Sequence, residues 1–249
     1  MHTGRTTPMA MYHVLIALLP AVACALYFFG LPALGVLVTS VAACVATEWA
    51  ITRFMLRRPT TVFDGSALLT GVLLALNLPS NLPLWMVAAG AVMAIGIAKM
   101  AFGGLGCNIF NPALVGRVFL LISFPVAMTT WPVPLQPDGI TGPTILGLEK
   151  LDSLDPGQVE ISHLLTGDIG GSMGEVSAIA LIIGFIYLLA TKVIKWHIPV
   201  CVVIGLVFVD LCAGWPVLVD ILSGGLLLGA IFMATDYVTS PMTTKGMMV

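Results

Sequence analysis

Three groups of residues in this chain could carry chemistry. The first is the turn Asp138-Gly139-Ile140-Thr141-Gly142-Pro143-Thr144, in which Gly142 and Pro143 make a bend that presents the Thr144 hydroxyl to solvent. Turns of this composition are common, so the string alone says little. The second is the link from Phe102 to Pro112. Gly103, Gly104 and Gly106 let backbone approach a flat ligand closely. Asn108 and Asn111 are three apart and share one face of a helical turn, and each amide offers both a donor and an acceptor. The same residues also suit close helix packing in lipid, with the asparagines as helix caps. The third group is a set of carboxylates inside apolar sequence: Glu48, Asp64, Asp210, Asp220 and Asp236. Burying one unpaired in a membrane costs at least about 2.5 kcal/mol, so each is a functional candidate by default. Asp64 and Asp236 stand beside broken segments and are the candidates for ion or proton contact. Glu48, Asp210 and Asp220 are expected near span ends, within reach of water. His2, His13, His163 and His197 have no ligand spacing, and the five cysteines form no C-x-x-C pair, so neither a metal site nor a disulfide framework is expected.

The elements that must position these groups are apolar. Hydrophobic residues make up 59% of the 249 and charged residues 9%, against roughly 25% charged in soluble domains. The mean hydropathy is +1.07. Eight apolar segments stand out, at about 12–29, 32–52, 64–78, 84–102, 113–128, 176–194, 198–213 and 217–235. Nine of the ten Lys and Arg residues fall on one side of this alternation: Arg5, Arg53, Arg57, Arg58, Lys99, Arg117, Lys192, Lys195 and Lys245. The positive-inside rule makes that side, and the N-terminus, cytoplasmic. The exception, Lys150, lies in a loop of roughly 129–175 with Asp138, Glu149, Asp152, Asp155, Glu160, Asp168 and Glu175, which places Thr144 on the opposite face. The polar start, Met1 to Pro8, has no small-residue cleavage site and does not read as a removable signal. No nucleotide fingerprint or basic nucleic-acid patch is present.

Five spans before the acidic loop force the second half to enter from the opposite face, which is the arrangement of an inverted repeat. The third spans of the two halves, 64–78 and 220–234, are similar: each opens on an Asp, carries Gly and runs to a Pro-containing turn (Leu78-Pro79-Ser80 and Ser240-Pro241). Short interrupted segments in matching places point to a midplane site. The expected organisation is therefore all-α and polytopic. Residues 1–128 form a first membrane repeat of five spans, 129–175 an outer loop, and 176–249 a second repeat with three spans and two apparently absent.

Several strings together resemble the RnfD family, the D component of the Rnf complex. They are Phe63-Asp64-Gly65-Ser66-Ala67-Leu68-Leu69-Thr70-Gly71, Asn77-Leu78-Pro79, Phe102-Gly103-Gly104-Leu105-Gly106, Asn108-Ile109-Phe110-Asn111-Pro112-Ala113, Gly116-Arg117-Val118-Phe119-Leu120 and Ala234-Thr235-Asp236-Tyr237-Val238-Thr239-Ser240-Pro241. The family is homologous to the NqrB component of the sodium-pumping NADH:quinone oxidoreductase and has ten spans in two inverted halves resembling urea transporters. Thr141 to Thr144 is similar to its [ST]-G-A-T motif, whose last Thr carries FMN through a phosphoester bond. Pro143 replaces the usual Ala and restricts both its own φ and Gly142. A covalent link suits this loop, because Lys150 among seven carboxylates offers a free phosphate little.

The resemblance implies a second, noncovalent flavin, riboflavin, beside Asn108 and Asn111. It also implies a bacterial inner-membrane flavoprotein subunit of an ion-translocating ferredoxin:NAD+ oxidoreductase, relaying electrons with Na+ or H+ movement and not catalytic alone. The implied partners are the other Rnf complex subunits, a flavin transferase and membrane lipid. Two other readings stay open: a passive channel or transporter for a small polar solute, and an NqrB-like part of the quinone-reducing enzyme.

Overall fold

A computed structural model describes residues 6–57, 61–135, 141–142, 144, 146–147, 165, 170–175, 177–223, 225–241 and 243–248. Helix α1, Thr7–Ala50, is a single apolar run broken at Gly30, whose φ of 61° and ψ of −140° leave the helical region. The break is a reversal. Met11 and Tyr12 lie against Gly65, while Glu48 accepts a hydrogen bond from the Thr61 hydroxyl at 2.6 Å. In a continuous helix, Met11 and Glu48 would be about 55 Å apart; here both meet the start of one neighbouring helix. The two arms of this hairpin are the first two apolar segments of the sequence, and a π-helical turn, Ile51–Met55, ends the second.

Helix α2, Ser66–Leu76, packs into that hairpin. A Cβ on Gly71 would lie 2.7 Å from the Val41 Cα, and the Ser40 hydroxyl donates to the Gly71 carbonyl at 2.8 Å. Helix α3, Leu84–Val92, continues as a π-helix over Met93–Met100. Helix α4, Pro112–Ser123, stops at Phe124 because Pro125 cannot donate to its fourth predecessor; Pro125 instead opens the short α5, Pro125–Met128. Strands β1, Trp131–Pro132, and β2, Thr141–Gly142, pair antiparallel, with Trp131 opposite Gly142. Helices α6, Ala178–Ala190, and α7, His197–Ala213, follow. The last apolar segment is interrupted: α8, Val217–Leu222, then α9, Leu226–Leu228, which runs on as a π-helix over Gly229–Met233. Helix α10, Thr244–Met248, ends the described chain.

Two short helices, α2 and α9, share a device. Gly65 (φ 75°, ψ −3°) and Gly225 (φ 71°, ψ 9°) both sit in the left-handed region immediately before the first helical residue. Each lets a preceding helical turn change direction without a Cβ clash. Both helices then end inside the protein. The carbonyls of Leu76 and Leu78 accept from the backbone of Gly174 (2.7 Å) and Met173 (3.2 Å), and the Met233 carbonyl accepts from the Asn111 amide at 3.4 Å. The ends meet: Asn77 Nδ2 lies 3.7 Å from Met233 Sδ, and Arg117 donates to Asn77 Oδ1 at 2.6 Å. These buried helix-end carbonyls are thereby satisfied, which apolar surroundings require.

The core runs between these elements through Leu18, Leu74, Ile95, Leu120, Leu181, Leu188 and Leu228. Its tightest crossing is at Gly184, where a Cβ would collide with the Ala17 carbonyl and approach Phe232 Cζ to 2.9 Å. Glycine at such a crossing lets helices approach closely. Gly184→Val should destabilise the chain by about 2 kcal/mol through overpacking, read as a lower midpoint of thermal unfolding in detergent.

Candidate functional site

The glycine-rich link and the break near the chain's end come together. Asn108 and Asn111 lie in one cavity with Ser66, Thr70, Lys99, Thr235 and Asp236, and its free space, counting the open mouth, is about 740 Å³. Each wall is set by a local feature. Ser66 and Thr70 ride the first turns of α2, which Gly65 starts. Lys99 belongs to the π-helix Met93–Met100, whose extra residue per turn rotates it out of the α-helical register. Gly103, Gly104 and Gly106 all take positive φ (115°, 100° and 91°), carrying the chain around the mouth to Asn108.

The two asparagines are partly committed to structure. Asn111 caps α4, its Oδ1 accepting from the Ala113 N–H at 3.0 Å while its amide reaches Met233. Asn108 Nδ2 donates to the Phe110 carbonyl at 3.1 Å. Asp236 is half-buried just past the final π-helix. Its carboxylate accepts from the Val238 N–H at 3.5 Å and the Thr239 hydroxyl at 3.4 Å, and from the Asn108 amide. Asp64 is not part of this cavity; it ends a short helical turn before Gly65, half-buried, its N–H donating to the Thr61 carbonyl at 3.0 Å. The structure therefore separates the two carboxylates that the sequence groups.

Beside the cavity lies an ion pair that the sequence pattern does not reveal. Lys99 Nζ is 2.5 Å from Glu48 Oε2 and 2.7 Å from Ser66 Oγ. Lys99 is 2% exposed and Glu48 0%, so the expectation that water reaches Glu48 is corrected. Its partner across the hairpin removes that need. Asp210, expected near water, is likewise only 3% exposed, and its Oδ2 has no partner among the described residues. Asp220 is half-buried. A signal for Lys99 does exist in the sequence: it falls inside an apolar run, at 84–102, and an intramembrane cation ordinarily has a partner or a task.

The second candidate is distant. Leu135 donates to the Phe28 carbonyl at 3.0 Å, which fixes β1 and β2 at the Gly30 end of the hairpin. The cavity adjoins Met11, at the other end, and 17 residues of helix span about 25 Å. Thr141 is exposed and Gly142 half-buried on β2, and Thr144 follows. The Thr144 Oγ accepts from the Gly147 N–H at 3.1 Å, and its own proton has no partner among the described residues. Pro143, Lys150 and the loop's carboxylates other than Glu175 lie outside the described residues.

The fold thus presents a helical protein with two short helices that start at left-handed glycines and end inside it, a polar cavity at one end and the half-buried Thr144 at the other. The chain belongs to the NQR2, RnfD, RnfE family, whose model matches residues 1–249. Among its relatives are D components of ion-translocating oxidoreductase complexes. Against that of the Na(+)-translocating ferredoxin:NAD(+) oxidoreductase complex of Acetobacterium woodii it is 46% identical over 247 residues, covering 98% of this chain and 77% of the relative. It is 43% identical over 257 residues to the proton-translocating counterpart of Clostridium ljungdahlii (96% and 77% covered). Against the corresponding component of the ion-translocating oxidoreductase complex of Stutzerimonas stutzeri it is 38% identical over 277 residues (96% and 78%). The family is the one the sequence motifs resemble.

Proposed function

We propose that this chain is the RnfD component of an ion-translocating ferredoxin:NAD+ oxidoreductase complex in the bacterial inner membrane. In this reading it carries FMN esterified to Thr144 and a noncovalent flavin in the cavity lined by Asn108 and Asn111. The observation that carries the reading is the whole-length family match, together with a Thr144 hydroxyl proton that has no partner among the described residues. The residues suit both groups. The Thr144 O–H, which a phosphoester can replace, has no partner among the described residues, and the cavity combines amide, hydroxyl and ammonium groups with apolar walls. Bound flavins supply passage between one- and two-electron carriers; the protein supplies position and electrostatics. Thr141 and Gly142 hold the turn against β1, and Asn108 and Asn111 present polar edges to the cavity.

Two relatives name different ions, Na+ and H+, and nothing in the cavity selects between them. Asp236, at the cavity, is the carboxylate best placed for ion or proton contact; Asp64 is the lesser candidate. The matching glycines Gly65 and Gly225 support two inverted halves. Apolar side chains facing outward, among them Tyr27, Leu31, Ile122 and Val126, suit a lipid boundary. The other subunits of the complex and a flavin transferase are the implied partners.

The test is the mature chain, made with its transferase, denatured and run on a gel under ultraviolet light. A fluorescent band, with the Thr144 peptide heavier by one FMN less water, supports the reading. A dark band with that peptide at its unmodified mass overturns it and favours a channel. For the cavity, Asn108→Leu with Asn111→Leu should reduce acid-released flavin from the purified complex at least about tenfold, since buried polar groups matched to a ligand discriminate strongly when lost.

A further inference from the structure

We infer that Lys99 is a flavin-contacting residue that sets the ring's reduction equilibrium in the Asn108–Asn111 cavity, with Glu48 as the counter-charge that moderates it. The inference rests on the noncovalent flavin placed there above. An ammonium has three N–H donors. Two are spent, on Glu48 Oε2 and Ser66 Oγ, and among the described residues the third has no partner. Lys99 nevertheless lines the cavity. Asn108 is its complement: its amide nitrogen is engaged by Phe110 and Asp236, while Oδ1 has no partner among the described residues. Lys99 with one N–H and Asn108 with one acceptor lacking partners among the described residues, both lining one cavity, suit a ligand edge that alternates carbonyl and N–H. The imide edge of a flavin has that pattern.

Charge gives Lys99 more than a binding role. Adding one electron to the oxidised ring, delivered by the complex's own carriers, leaves a negative charge on it with no bond made or broken. A cation at the carbonyl edge stabilises that product more than the neutral starting form, the more so because Lys99 itself is buried. Glu48, paired to Lys99 at 2.5 Å, subtracts part of that field. The Thr61 hydroxyl holds Glu48 in place at 2.6 Å. The pair lets a charge sit at a buried ligand without leaving an uncompensated ion in the protein.

The test uses the intact purified complex. Glu48→Gln keeps the shape and one acceptor oxygen for Lys99, turns the Thr61 contact into one in which the amide donates to the hydroxyl, and removes the counter-charge. The double variant Glu48→Gln/Lys99→Met removes both ions. Acid-released flavin is quantified, and the cavity flavin is titrated spectrally at fixed ambient potentials, its signal assigned by difference from the Asn108→Leu/Asn111→Leu complex. Glu48→Gln is expected to raise the reduced-to-oxidised ratio about tenfold, and the double variant to lower it by a similar factor. A residue that only braces the helices would change flavin content without shifts of opposite sign. Titrations superimposable on wild type, with the flavin retained, overturn the assignment of Lys99 and leave the flavin in place. Unchanged acid-released flavin in the asparagine variant overturns the cavity reading and this inference with it. If the double variant fails to assemble, the shift in Glu48→Gln alone decides.

Discussion

Replacing Thr144 with alanine is expected to abolish covalent flavin on the chain while leaving the fold intact. Thr144→Ser should keep it, since serine retains the oxygen that forms the ester. The expected contrast is all or none in fluorescence of the denatured band. Two features make the prediction specific. The Thr144 oxygen accepts one hydrogen bond, from the Gly147 N–H, so its loss costs the fold about 1 kcal/mol, too little to remove the protein from the membrane. The hydroxyl also lies two residues past the β1–β2 pairing of Trp131 with Gly142. Thr141 lies within that pairing, opposite Pro132. If Thr144→Ala stays fluorescent with the flavin found on Thr141, the site is wrong and the flavoprotein reading survives. If wild type is itself dark, the flavoprotein reading falls.

Much of this was legible in the sequence because its signals are local. Apolar segments bounded by Gly30, Pro83, Trp196 and Pro216 became helices within a few residues of their expected limits. The reversal at Gly30 follows from a residue that tolerates positive φ, followed by Pro32 in the first turn of the next arm. The glycines around Asn108, all at positive φ, are likewise short-range features. What was hidden is pairing across the chain. Glu48 and Lys99 are 51 residues apart, and the amphipathic period that ordinarily marks a buried face is nearly absent when lipid and core are both apolar. Nothing local says that Glu48 turns inward to Lys99 instead of outward to water. The same holds for Asn77, whose amide bridges Arg117 and Met233 from three different helical segments. The π-helical turns that aim Lys99 and Phe232 inward are also invisible to a pattern reading, because each adds a residue without changing composition.

The Glu48–Lys99 pair supplies the largest stability effect expected from a single side chain. Lys99→Met should destabilise the protein by about 3–5 kcal/mol, the cost of leaving a buried carboxylate without its cation. Glu48 is 0% exposed, and the Thr61 hydroxyl is the one neutral donor it keeps among the described residues. One hydroxyl cannot replace an ammonium at 2.5 Å. The double variant Glu48→Gln/Lys99→Met removes the stranded charge and should recover most of the loss, because a buried pair exchanged as a unit is often neutral in stability. Thermal unfolding in detergent of the four combinations forms a double-mutant cycle, with the coupling read as the departure from additivity. A coupling below about 1 kcal/mol would mean that water reaches Glu48 after all, since exposed pairs contribute only that much. The burial that closes the pair off from solvent would then be the feature to abandon. A large coupling places a rigid, charge-balanced post between α1, α2 and α3 at the wall of the cavity. That rigidity is what a ligand needs if Lys99 is to hold one N–H open toward it while its other two are fixed.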